Sequence, residues 1–320
     1  MDVSVCIVNW NTEELIINCI TSLQKKTSGV SYEIIIVDNN SSDGSVEMVR
    51  QRFPYCKLIA SNKNNGFSKG NNLGFREANG KYILFLNPDT ILSTNALLGM
   101  FQFMESSPET GAVGCKLLNQ DGSIQFTCAR TFPTLRNQFC YMMLLNRIFP
   151  RSKIFSTIEM GYWNHKDSRY IDCVSGACLF ARKLIIEEMK GFDERIFMYA
   201  EEVDLCYRII KKGWKIYYLA TEEIYHLEGQ SSKKRAQKYF STLAQRESNR
   251  YYFLKHFGKL YAWVYTLIVL FGSFLRLIVM LASIFDFRKN RLRIQDKKYI
   301  FVKYFSLLLW SMGLKKAQKS

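Results

Sequence analysis

The sequence lacks any Cys-x-x-Cys spacing, although it contains nine cysteines. An odd number of scattered cysteines is not typical of a disulfide framework, so we expect reduced and mostly buried thiols. Internal repeats, low-complexity segments and a charged-then-apolar leader before the first strand, MDVSVCIVNWN, are also missing. Without such a leader, we expect the amino-terminal part of the chain to stay in the cytosol.

Acidic residues are few: 28 Asp and Glu stand against 44 Lys and Arg, which gives a formal net charge of +16. This excess indicates an anionic partner, such as nucleic acid, anionic lipid or a phosphate-bearing substrate. The hydrophobic content of 48% excludes a disordered chain, and 320 residues can form one large domain or two.

The glycines follow neither common nucleotide-binding pattern. The segment NNGFSKGNNLGF, residues 64–75, is neither G-x-G-x-x-G nor G-x-x-x-x-G-K-[ST], and it follows the third predicted strand. A nicotinamide site and a P-loop are therefore disfavoured. Two interpretations stay open. The segment is a loop entering a helix, with Gly66 and Gly70 needed for backbone freedom, or its amides and Lys69 line a nucleotide pocket.

The first hundred residues alternate short β-branched runs with amphipathic stretches, which predicts a parallel sheet with helices on both faces. The predicted strands, each with its following helix, are 3–8 and 13–25, 33–37 and 44–52, 57–60 and 68–79, and 82–86 and 95–105. Later segments predict a strand, turn and strand at 170–183 and a helix from Glu201 that Gly213 ends. A strand at 215–219 then leads to His226.

Acid and amide side chains follow the predicted strands, at the edge where open α/β sheets bind ligands. A carboxylate there can accept a hydrogen bond from a pyrimidine base, or hold a divalent cation that bridges two phosphates. Helix capping is the simpler interpretation, and we favour it for Asp43 and Thr12. For Asp38 and Asp89 both interpretations stay open. The strand-end residues are Asn9, Asn11, Asp38, Asn39, Asn40, Asp43, Asn87 and Asp89.

The NPDT segment, residues 87–90, presents the same choice, because Asn and Pro there suit a type I turn. Glu201 and Glu202 begin a predicted helix, where the helix dipole favours acids and where a general base would also be well placed. Asp204 and Arg208 predict an ion pair on one helix face. His226 on its own is more typical of a structural side chain than of a ligand.

The composition changes after residue 232. A charged helix is predicted at 233–257, followed by an almost wholly apolar stretch at 260–285 that contains Arg276. The tail from Asp286 to Ser320 has ten Lys and Arg against two Asp, interleaved with YIFVKYFSLLLWSM. This alternation favours a membrane surface. The apolar stretch is long enough to span a bilayer, but the cost of burying Arg276 favours an interfacial position.

Seven motifs, taken in order, resemble the family 2 glycosyltransferases of GT-A fold, and most closely the bacterial rhamnosyltransferases that build O-antigen and cell-envelope polysaccharides. The motifs are VSVCIVNWNTEELI, EIIIVDNNSSDGS, NNGFSKGNNLGF, YILFLNPDT, VSGACLFARK, FDERIFMYAEEVDLCYRIIKKGW and IYHLEGQSS. The resemblance implies an α/β GT-A domain at 1–232, with a mixed, mostly parallel Rossmann-like sheet. A helical, membrane-associated region would follow at 233–320.

The resemblance also implies a reaction: inverting transfer of L-rhamnose from dTDP-L-rhamnose to a hydroxyl of a polyprenyl-diphosphate-linked saccharide. The site would lie at the cytoplasmic face of the bacterial inner membrane. Mg²⁺ or Mn²⁺ would be held by Asp89 and His226, with Asn87 standing where the family's Asp-x-Asp motif has its first acid. Glu202 would be the base, with Glu201 beside it. The implied donor-binding residues are Asn9, Asp38, Asn40, Asn65, Gly66, Asn72 and Asn87.

Other functional classes stay open at this point. A catalytically impaired membrane scaffold is favoured by Asn87, whereas the retained Asp38, Asp89, Glu202 and His226 favour an active enzyme. A transferase that uses another nucleotide-sugar is a further alternative, because the motifs are less specific for the sugar than for the family. A nucleic-acid binder is suggested by the net charge but lacks a recognition motif, and the basic excess lies in a tail interleaved with apolar residues.

Overall fold

The computed structural model describes residues 1–227, 235–285 and 294–317, and the predicted alternation of strands and helices is present through the first hundred residues. The first four predicted strands and their helices are confirmed to within three residues at each end. The described strands are β1 (Val3–Asn9), β2 (Tyr32–Asp38), β3 (Lys57–Ala60), β4 (Tyr82–Leu86), β5 (Thr90–Leu92), β6 (Thr110–Leu118), β7 (Ala129–Arg130), β8 (Arg169–Ile171), β9 (Cys173–Val174), β10 (Cys178–Arg182) and β11 (Lys215–His226).

The helices vary widely in length and in how apolar they are. They are α1 (Glu13–Lys26), α2 (Ser45–Arg52), α3 (Gly66–Arg76), α4 (Ala96–Ser106), α5 (Leu135–Met142), α6 (Leu145–Ile148), α7 (Lys183–Glu188), α8 (Glu201–Lys211), α9 (Arg235–Phe257), α10 (Lys259–Phe285) and α11 (Ile294–Ser311). As predicted, Gly213 stops α8: it follows the C-cap residue Lys212 and has a φ of +92°. The predicted helix at 233–257 is described from Arg235 onward, and its first two residues lie outside the described ranges.

The chain folds into two units. The first comprises Met1–Phe132 and Glu159–Ser231, and the second comprises Pro133–Ile158 and Ser232–Ser320. The boundary predicted at residue 232 lies outside the described residues, so the division into domains 1–232 and 233–320 stays a prediction.

A nine-stranded sheet forms the core of the first unit, in the order β3-β2-β1-β4-β10-β6-β11-β5, with β8 beside β11. Strands β3, β2, β1 and β4 are parallel to one another, and β11 is parallel to β6. Strand β10 is antiparallel to both β4 and β6. The chain runs outward from β1 to β3 and then returns to the other side of β1 with β4. This is the mixed, mostly parallel sheet that was expected, and its switch point lies between β1 and β4.

The central strands are apolar along their length because both faces of the sheet are covered. All five residues of β4 are buried, and so is nearly all of β1. Helix α3 packs closely over β1. A Cβ at Gly70 would lie 2.8 Å from Val8 Cγ1, so Gly70 is needed for close approach and not for backbone freedom as predicted. All nine cysteines are buried and free, which confirms the prediction of reduced thiols.

The predicted strand, turn and strand at 170–183 are present, but they do not form a hairpin. Strand β9 pairs with β7 in a separate two-stranded sheet, whereas β10 is inserted between β4 and β6. The turn between β9 and β10 therefore lies at the same edge of the sheet as the carboxyl end of β4.

The second unit is helical. Helix α10 packs against α5, α9 and α11, and a Cβ at Gly272 would lie only 2.9 Å from Met142 Cβ. Residues Lys259–Leu281 form the one helix in the described ranges that is long and apolar enough to cross a membrane. Large apolar side chains such as Trp263 and Phe271 are exposed along it. Within the basic tail predicted at 286–320, residues 286–293 and 318–320 lie outside the described residues.

Candidate functional site

Asn9 and Asp38 stand side by side at the carboxyl ends of β1 and β2, where the strand register pairs them. Asn9 Nδ2 donates to Asp38 Oδ1 at 2.8 Å and to Ser41 Oγ at 3.1 Å. The second oxygen of Asp38 accepts from the Ser41 backbone N–H at 2.8 Å. With exposures of 1% and 2%, both side chains are fixed in position, as a preorganised binding surface requires.

Asp43 and Thr12 differ in how they act near the start of α1. Asp43 Oδ2 accepts from the Glu13 backbone N–H at 3.0 Å, so it satisfies a free N–H in the first turn of α1. Thr12 occupies the N-cap position, but its side chain makes no cap hydrogen bond within this described segment. Its hydroxyl donates instead to Asn9 Oδ1 at 2.6 Å. The predicted capping role is therefore wrong for Thr12, whose hydroxyl makes its hydrogen bond with Asn9 and accepts none from the first turn of α1.

The loop that begins α3 is fixed to the segment before α8 through Gly66. Gly66 has a φ of +77°, and a Cβ there would lie 2.5 Å from the backbone oxygen of Phe197. The Phe67 N–H donates to that same oxygen at 2.9 Å. Asn65 Nδ2 donates to the Lys63 backbone oxygen at 3.3 Å, whereas Asn40 is exposed at a φ of +64°. Donor binding by these residues stays a prediction.

Asn72 holds two segments of the first unit together. Its Oδ1 accepts from the Phe192 N–H at 2.8 Å, and its Nδ2 donates to the Phe192 backbone oxygen at 2.9 Å and to Glu194 Oε1 at 3.2 Å. These hydrogen bonds fix α3 against the loop that follows α7. The predicted role of Asn72 in donor binding is not tested by them.

The NPDT segment forms the predicted turn and also brings Asp89 to the edge of the sheet. The Asn87 N–H donates to the Ala177 backbone oxygen at 3.0 Å, and Thr90 Oγ1 donates to the Asn87 oxygen at 2.8 Å. The backbone oxygen of Asp89 accepts from Leu227 at 2.8 Å. The turn is thereby linked to the β9–β10 loop on one side and to the end of β11 on the other.

His226 ends β11 and faces this turn. Its Nε2 lies 3.3 Å from Asp89 Oδ1 and 3.5 Å from Asn87 Nδ2. Its Nδ1 lies 2.8 Å from Gln125 Oε1. Gln125 Nε2 donates to the backbone oxygen of His226 at 2.7 Å, so the oxygen of that amide must be the atom facing the ring. His226 therefore carries a proton on Nδ1, and its Nε2 faces Asp89.

Three residues with metal-ligand chemistry thus meet at the end of β4: Asp89, His226 and Asn87, whose Nδ2 is the amide atom nearest to His226 Nε2. Asn87 Oδ1 is buried and has no hydrogen-bond partner among the described residues. Such an atom requires explanation, because a buried polar atom without a partner is costly. No group of three or more His, Cys, Asp or Glu that could hold a metal is found in the ranges that the structure describes. One carboxylate, one imidazole and one amide oxygen nonetheless fit a divalent cation that takes further ligands from a phosphate-bearing substrate.

Glu201 and Glu202 begin α8 after Tyr199 and Ala200, which both have left-handed backbone angles. The two glutamates are 6% and 7% exposed. The Glu202 carboxylate is paired with the guanidinium of Arg130. Burial, and then the charge of Glu202, raise the pKa of Glu201 well above its ordinary value, and its Oε2 is buried without a hydrogen-bond partner in the described part of the chain. The two adjacent acids therefore differ: Glu202 has a cationic partner, whereas the environment of Glu201 disfavours its ionised form.

The β9–β10 loop joins these two groups of residues. Ala177 in this loop accepts the hydrogen bond from Asn87, and a Cβ at its neighbour Gly176 would lie 3.7 Å from Glu202 Cβ. The loop therefore lies between the turn that carries Asp89 and the start of α8. The predicted ion pair of Asp204 and Arg208 is confirmed at 2.8 Å.

Gln125 and Arg130 are two residues of this site that the sequence does not indicate. Gln125 lies in a polar loop before a 3₁₀ turn at Phe126–Cys128, and Arg130 belongs to the two-residue strand β7. Neither position follows a motif or a hydrophobic period. Only the tertiary structure brings them to His226 and Glu202.

The first unit combines an open α/β sheet, acid side chains at its switch point, an Asp–His pair beside them and buried glutamates at a nearby helix start. This combination is typical of the GT-A glycosyltransferases. The glycosyl transferase family 2 profile matches residues 4–185. The chain belongs to glycosyl transferase family 2, which confirms the resemblance and the expected enzyme class.

Curated relatives are similar over most of the chain. The sequence is 28% identical to N-acetylglucosaminyl-diphospho-decaprenol L-rhamnosyltransferase of Mycobacterium tuberculosis over 238 residues, or 70% of this chain and 76% of the relative. It is 28% identical to the rhamnosyltransferase WbbL of Escherichia coli K12 over 204 residues, or 61% of this chain and 72% of the relative.

Solved structures share the fold. The mannosyltransferase PcManGT of Pyrobaculum calidifontis, solved with GDP-Man and Mn2+, has a TM-score of 0.54 at 13% identity and covers 96% of this chain and 87% of its own. TarS 1-349 of S. aureus, solved with UDP, has a TM-score of 0.50 at 16% identity and covers 98% and 83%. At these identities, the likeness supports the fold alone.

Proposed function

We propose that this glycosyltransferase moves L-rhamnose from dTDP-L-rhamnose to a hydroxyl of a polyprenyl-diphosphate-linked saccharide, with inversion at the anomeric carbon. The observation that carries the proposal is the similarity, at 28% identity, to two rhamnosyltransferases over 70% and 61% of the chain. The name of one of them specifies a decaprenol-diphosphate acceptor. The product would serve the synthesis of a bacterial cell-surface polysaccharide.

Asp38 is the residue we propose to contact the nucleobase. It ends the second strand, and its carboxylate accepts two hydrogen bonds, one from Asn9 Nδ2 and one from the Ser41 backbone N–H. A rigid acceptor at that place can receive the imide N–H of thymine. Asn40, Asn65, Gly66, Asn72 and Asn87 complete the proposed donor-binding set.

Asp89 and His226 are proposed to hold Mg²⁺ or Mn²⁺, together with Asn87 Oδ1. When bound, the cation would stabilise the negative charge of the departing nucleotide diphosphate. Both residues are held in position by hydrogen bonds to their neighbours. Gln125 fixes the His226 ring, and the Asp89 backbone is held by Leu227. His226 Nε2 and Asp89 Oδ1 lie 3.3 Å apart, and an unprotonated imidazole nitrogen and a carboxylate oxygen are both ligands that a divalent cation takes.

Glu202 is the proposed base. As the acceptor oxygen forms its bond to the anomeric carbon, the bond from that carbon to the nucleotide diphosphate breaks, and the hydroxyl proton passes to Glu202. A single displacement of this kind inverts the anomeric centre. Arg130 keeps Glu202 in one orientation, and burial raises the pKa of the neighbouring Glu201, which disfavours a second negative charge beside the base.

The second unit is proposed to associate with the cytoplasmic face of the inner membrane, at the interface rather than across it. The exposed apolar side chains of α10 support contact with acyl chains. Arg276 is satisfied by the backbone oxygens of Tyr141 and Met142 and by the Tyr304 hydroxyl. An enzyme held at this surface meets a soluble donor and a lipid-borne acceptor together.

A panel of nucleotide-sugars tests the proposal. The purified full-length protein is incubated with dTDP-L-rhamnose, UDP-sugars and GDP-mannose, with and without a chelator, and nucleotide release and transfer to a polyprenyl-diphosphate saccharide are measured. We expect turnover with dTDP-L-rhamnose that requires a divalent cation. Preference for another donor would overturn the choice of rhamnose, and absence of turnover with every donor would favour the scaffold.

A further inference from the structure

Three basic side chains of the second unit gather around two tyrosines. The Arg246 guanidinium lies 5.4 Å from the ring centre of Tyr141, whose backbone oxygen accepts from Arg276 Nη2 at 2.8 Å. Arg276 Cζ and Lys303 Nζ lie 5.0 Å and 5.9 Å from the ring centre of Tyr304. The cations come from α9, α10 and α11, so the fold brings them together over long sequence separations.

Arg246 has little to bind inside the described part of the protein. It is only 6% exposed, its Nε is buried without a hydrogen-bond partner there, and its one hydrogen bond among the described residues is a long one of 3.5 Å to the Tyr265 hydroxyl. Arg276, by contrast, donates to two backbone oxygens of α5 and to the Tyr304 hydroxyl, so its role is structural. Arg246 and Lys303 therefore have donors to offer a ligand.

Within the described ranges, no ion pair joins Arg246, Arg276 or Lys303 to an acidic side chain. Burial, and then the charges of Arg246, Arg276 and Arg147, lower the pKa of Lys303. The cations therefore repel one another with no carboxylate of the described residues between them. Arg246 is buried, whereas Arg276 and Lys303 are partly exposed. Buried charges in proteins are normally paired, so a buried guanidinium with no carboxylate partner among the described residues is typical of a site whose anion comes from a ligand.

Phosphate is the anion that suits these groups. A guanidinium presents a fork of donors that matches two phosphate oxygens, and an ammonium adds a point charge. The same unit exposes apolar side chains along α10, including Phe274 and Val279, so the phosphate would be attached to an acyl or prenyl chain.

We propose that Arg246 and Lys303, supported by Arg276, bind the phosphate group of a membrane lipid. The chemistry recognised is a phosphate on a hydrophobic chain, which a polyprenyl phosphate or an anionic phospholipid can supply. This site is separate in sequence and in fold from the donor site of the first unit. Its occupation does not depend on which sugar the enzyme transfers.

Vesicle binding by the full-length protein tests this site. Co-sedimentation is measured with phosphatidylcholine vesicles alone, and with vesicles that also contain phosphatidylglycerol or undecaprenyl phosphate. We expect Arg246→Gln and Lys303→Gln each to weaken binding to phosphate-bearing vesicles on the order of tenfold. Arg250→Gln and Lys259→Gln are matched controls. They remove the same charge from exposed positions on α9 and α10 and should lose only the small, non-specific attraction.

The vesicle composition identifies the source of the phosphate. A loss confined to undecaprenyl phosphate vesicles supports a site for the acceptor lipid, and a loss with both phosphate lipids supports a general phospholipid site. Binding by Arg246→Gln and Lys303→Gln that equals binding by the controls would overturn the proposal. Thermal unfolding and nucleotide-sugar hydrolysis verify that each variant is folded. If Arg246→Gln is unfolded, Lys303→Gln and Arg246→Lys carry the test, because their substitutions are milder.

Discussion

Gln125 binds His226 through both ends of its amide: the oxygen accepts from ring Nδ1 at 2.8 Å, and the nitrogen donates to the backbone oxygen at 2.7 Å. The backbone acceptor fixes the orientation of the amide, and the amide fixes the tautomer of the ring. As a result, the free Nε2 faces Asp89 at the proposed cation site. Gln125 therefore acts as a positioning residue for the histidine.

Gln125→Leu should loosen that ring. Mutation of a residue that hydrogen-bonds to a metal-binding histidine typically lowers metal affinity or activity by about 10–100-fold. We expect Gln125→Leu to lower the Mn²⁺ affinity or the activity by a factor in that range. The measurement is nucleotide-sugar hydrolysis as a function of Mn²⁺ concentration. Gln138→Leu is the control, because it removes another buried glutamine, in the second unit. An unchanged Mn²⁺ requirement in Gln125→Leu would contradict the positioning role.

Glu202→Gln and Glu201→Gln form a matched pair at adjacent positions. Glutamine cannot accept the proton of the acceptor hydroxyl, so Glu202→Gln should abolish transfer, with a loss of about 100-fold or more. Burial raises the pKa of Glu201 and so favours its uncharged form, which glutamine resembles, so Glu201→Gln should keep most of the activity. The kcat of transfer is measured for both folded variants. The opposite order of activities would transfer the role of base to Glu201.

The stability of the protein should also depend on Glu201. Because its pKa is raised in the folded state, its contribution to the free energy of unfolding is fully present below the ordinary value of 4.5 and is lost as the pH rises towards the raised pKa. Glu201→Gln removes this dependence. Urea unfolding from about pH 4.5 to about pH 8 should show the variant gaining stability relative to the parent protein. A constant difference across that range would show that Glu201 titrates normally.

The local parts of the fold could be predicted from sequence, because the signals are local. The strands β1 to β4 are continuous apolar runs. Helix α8 stops just before Gly213, which has a φ of +92°, a backbone angle that glycine adopts more easily than other residues. The sequence predicts that β10 is a strand, but it does not predict the position of β10 in the sheet. Its insertion between β4 and β6 depends on pairing between residues about a hundred positions apart, which no local pattern encodes.

The residues of the candidate site could be predicted only where they lie at the end of a strand or at the start of a helix. Asp38, Asp89 and Glu202 occupy such positions. Thr12 also occupies one, but its hydroxyl donates to Asn9 Oδ1 and does not cap α1. Arg130 and Gln125 lie in short, irregular segments, and their roles arise from tertiary interactions with Glu202 and His226.

Gly66→Ala should lower the stability of the protein more than alanine at another glycine with a positive φ. Both Gly66 and Gly122 have left-handed backbone angles, of +77° and +81°, so either alanine carries a conformational cost of about 1 kcal/mol or more. At Gly122 the new Cβ meets no described atom within 4 Å, whereas at Gly66 it would lie 2.5 Å from the Phe197 oxygen. We expect urea unfolding to show Gly66→Ala less stable than Gly122→Ala by at least about 1 kcal/mol. Equal losses would mean that the loop at Phe197 moves aside freely.

Asn87→Asp should tighten the proposed cation site. Asn87 Oδ1 is buried without a hydrogen-bond partner in the described ranges, and Asn87 Nδ2 lies within reach of His226 Nε2. The substitution replaces that donor with an oxygen and adds a second negative charge beside Asp89. Without a cation, the carboxylates and the ring lone pair repel more strongly. With a cation, affinity rises with ligand charge.

The result expected for Asn87→Asp is therefore a steeper dependence on metal. The Mn²⁺ concentration for half-maximal hydrolysis should fall on the order of tenfold, and the increase in Tm on adding Mn²⁺ should grow. Gln51→Glu adds the same charge on the exposed face of α2 and controls for long-range electrostatics. Equal responses of the two variants would mean that residue 87 lies outside the coordination sphere. The unpartnered oxygen of Asn87 would then need another explanation, such as a hydroxyl of the donor sugar.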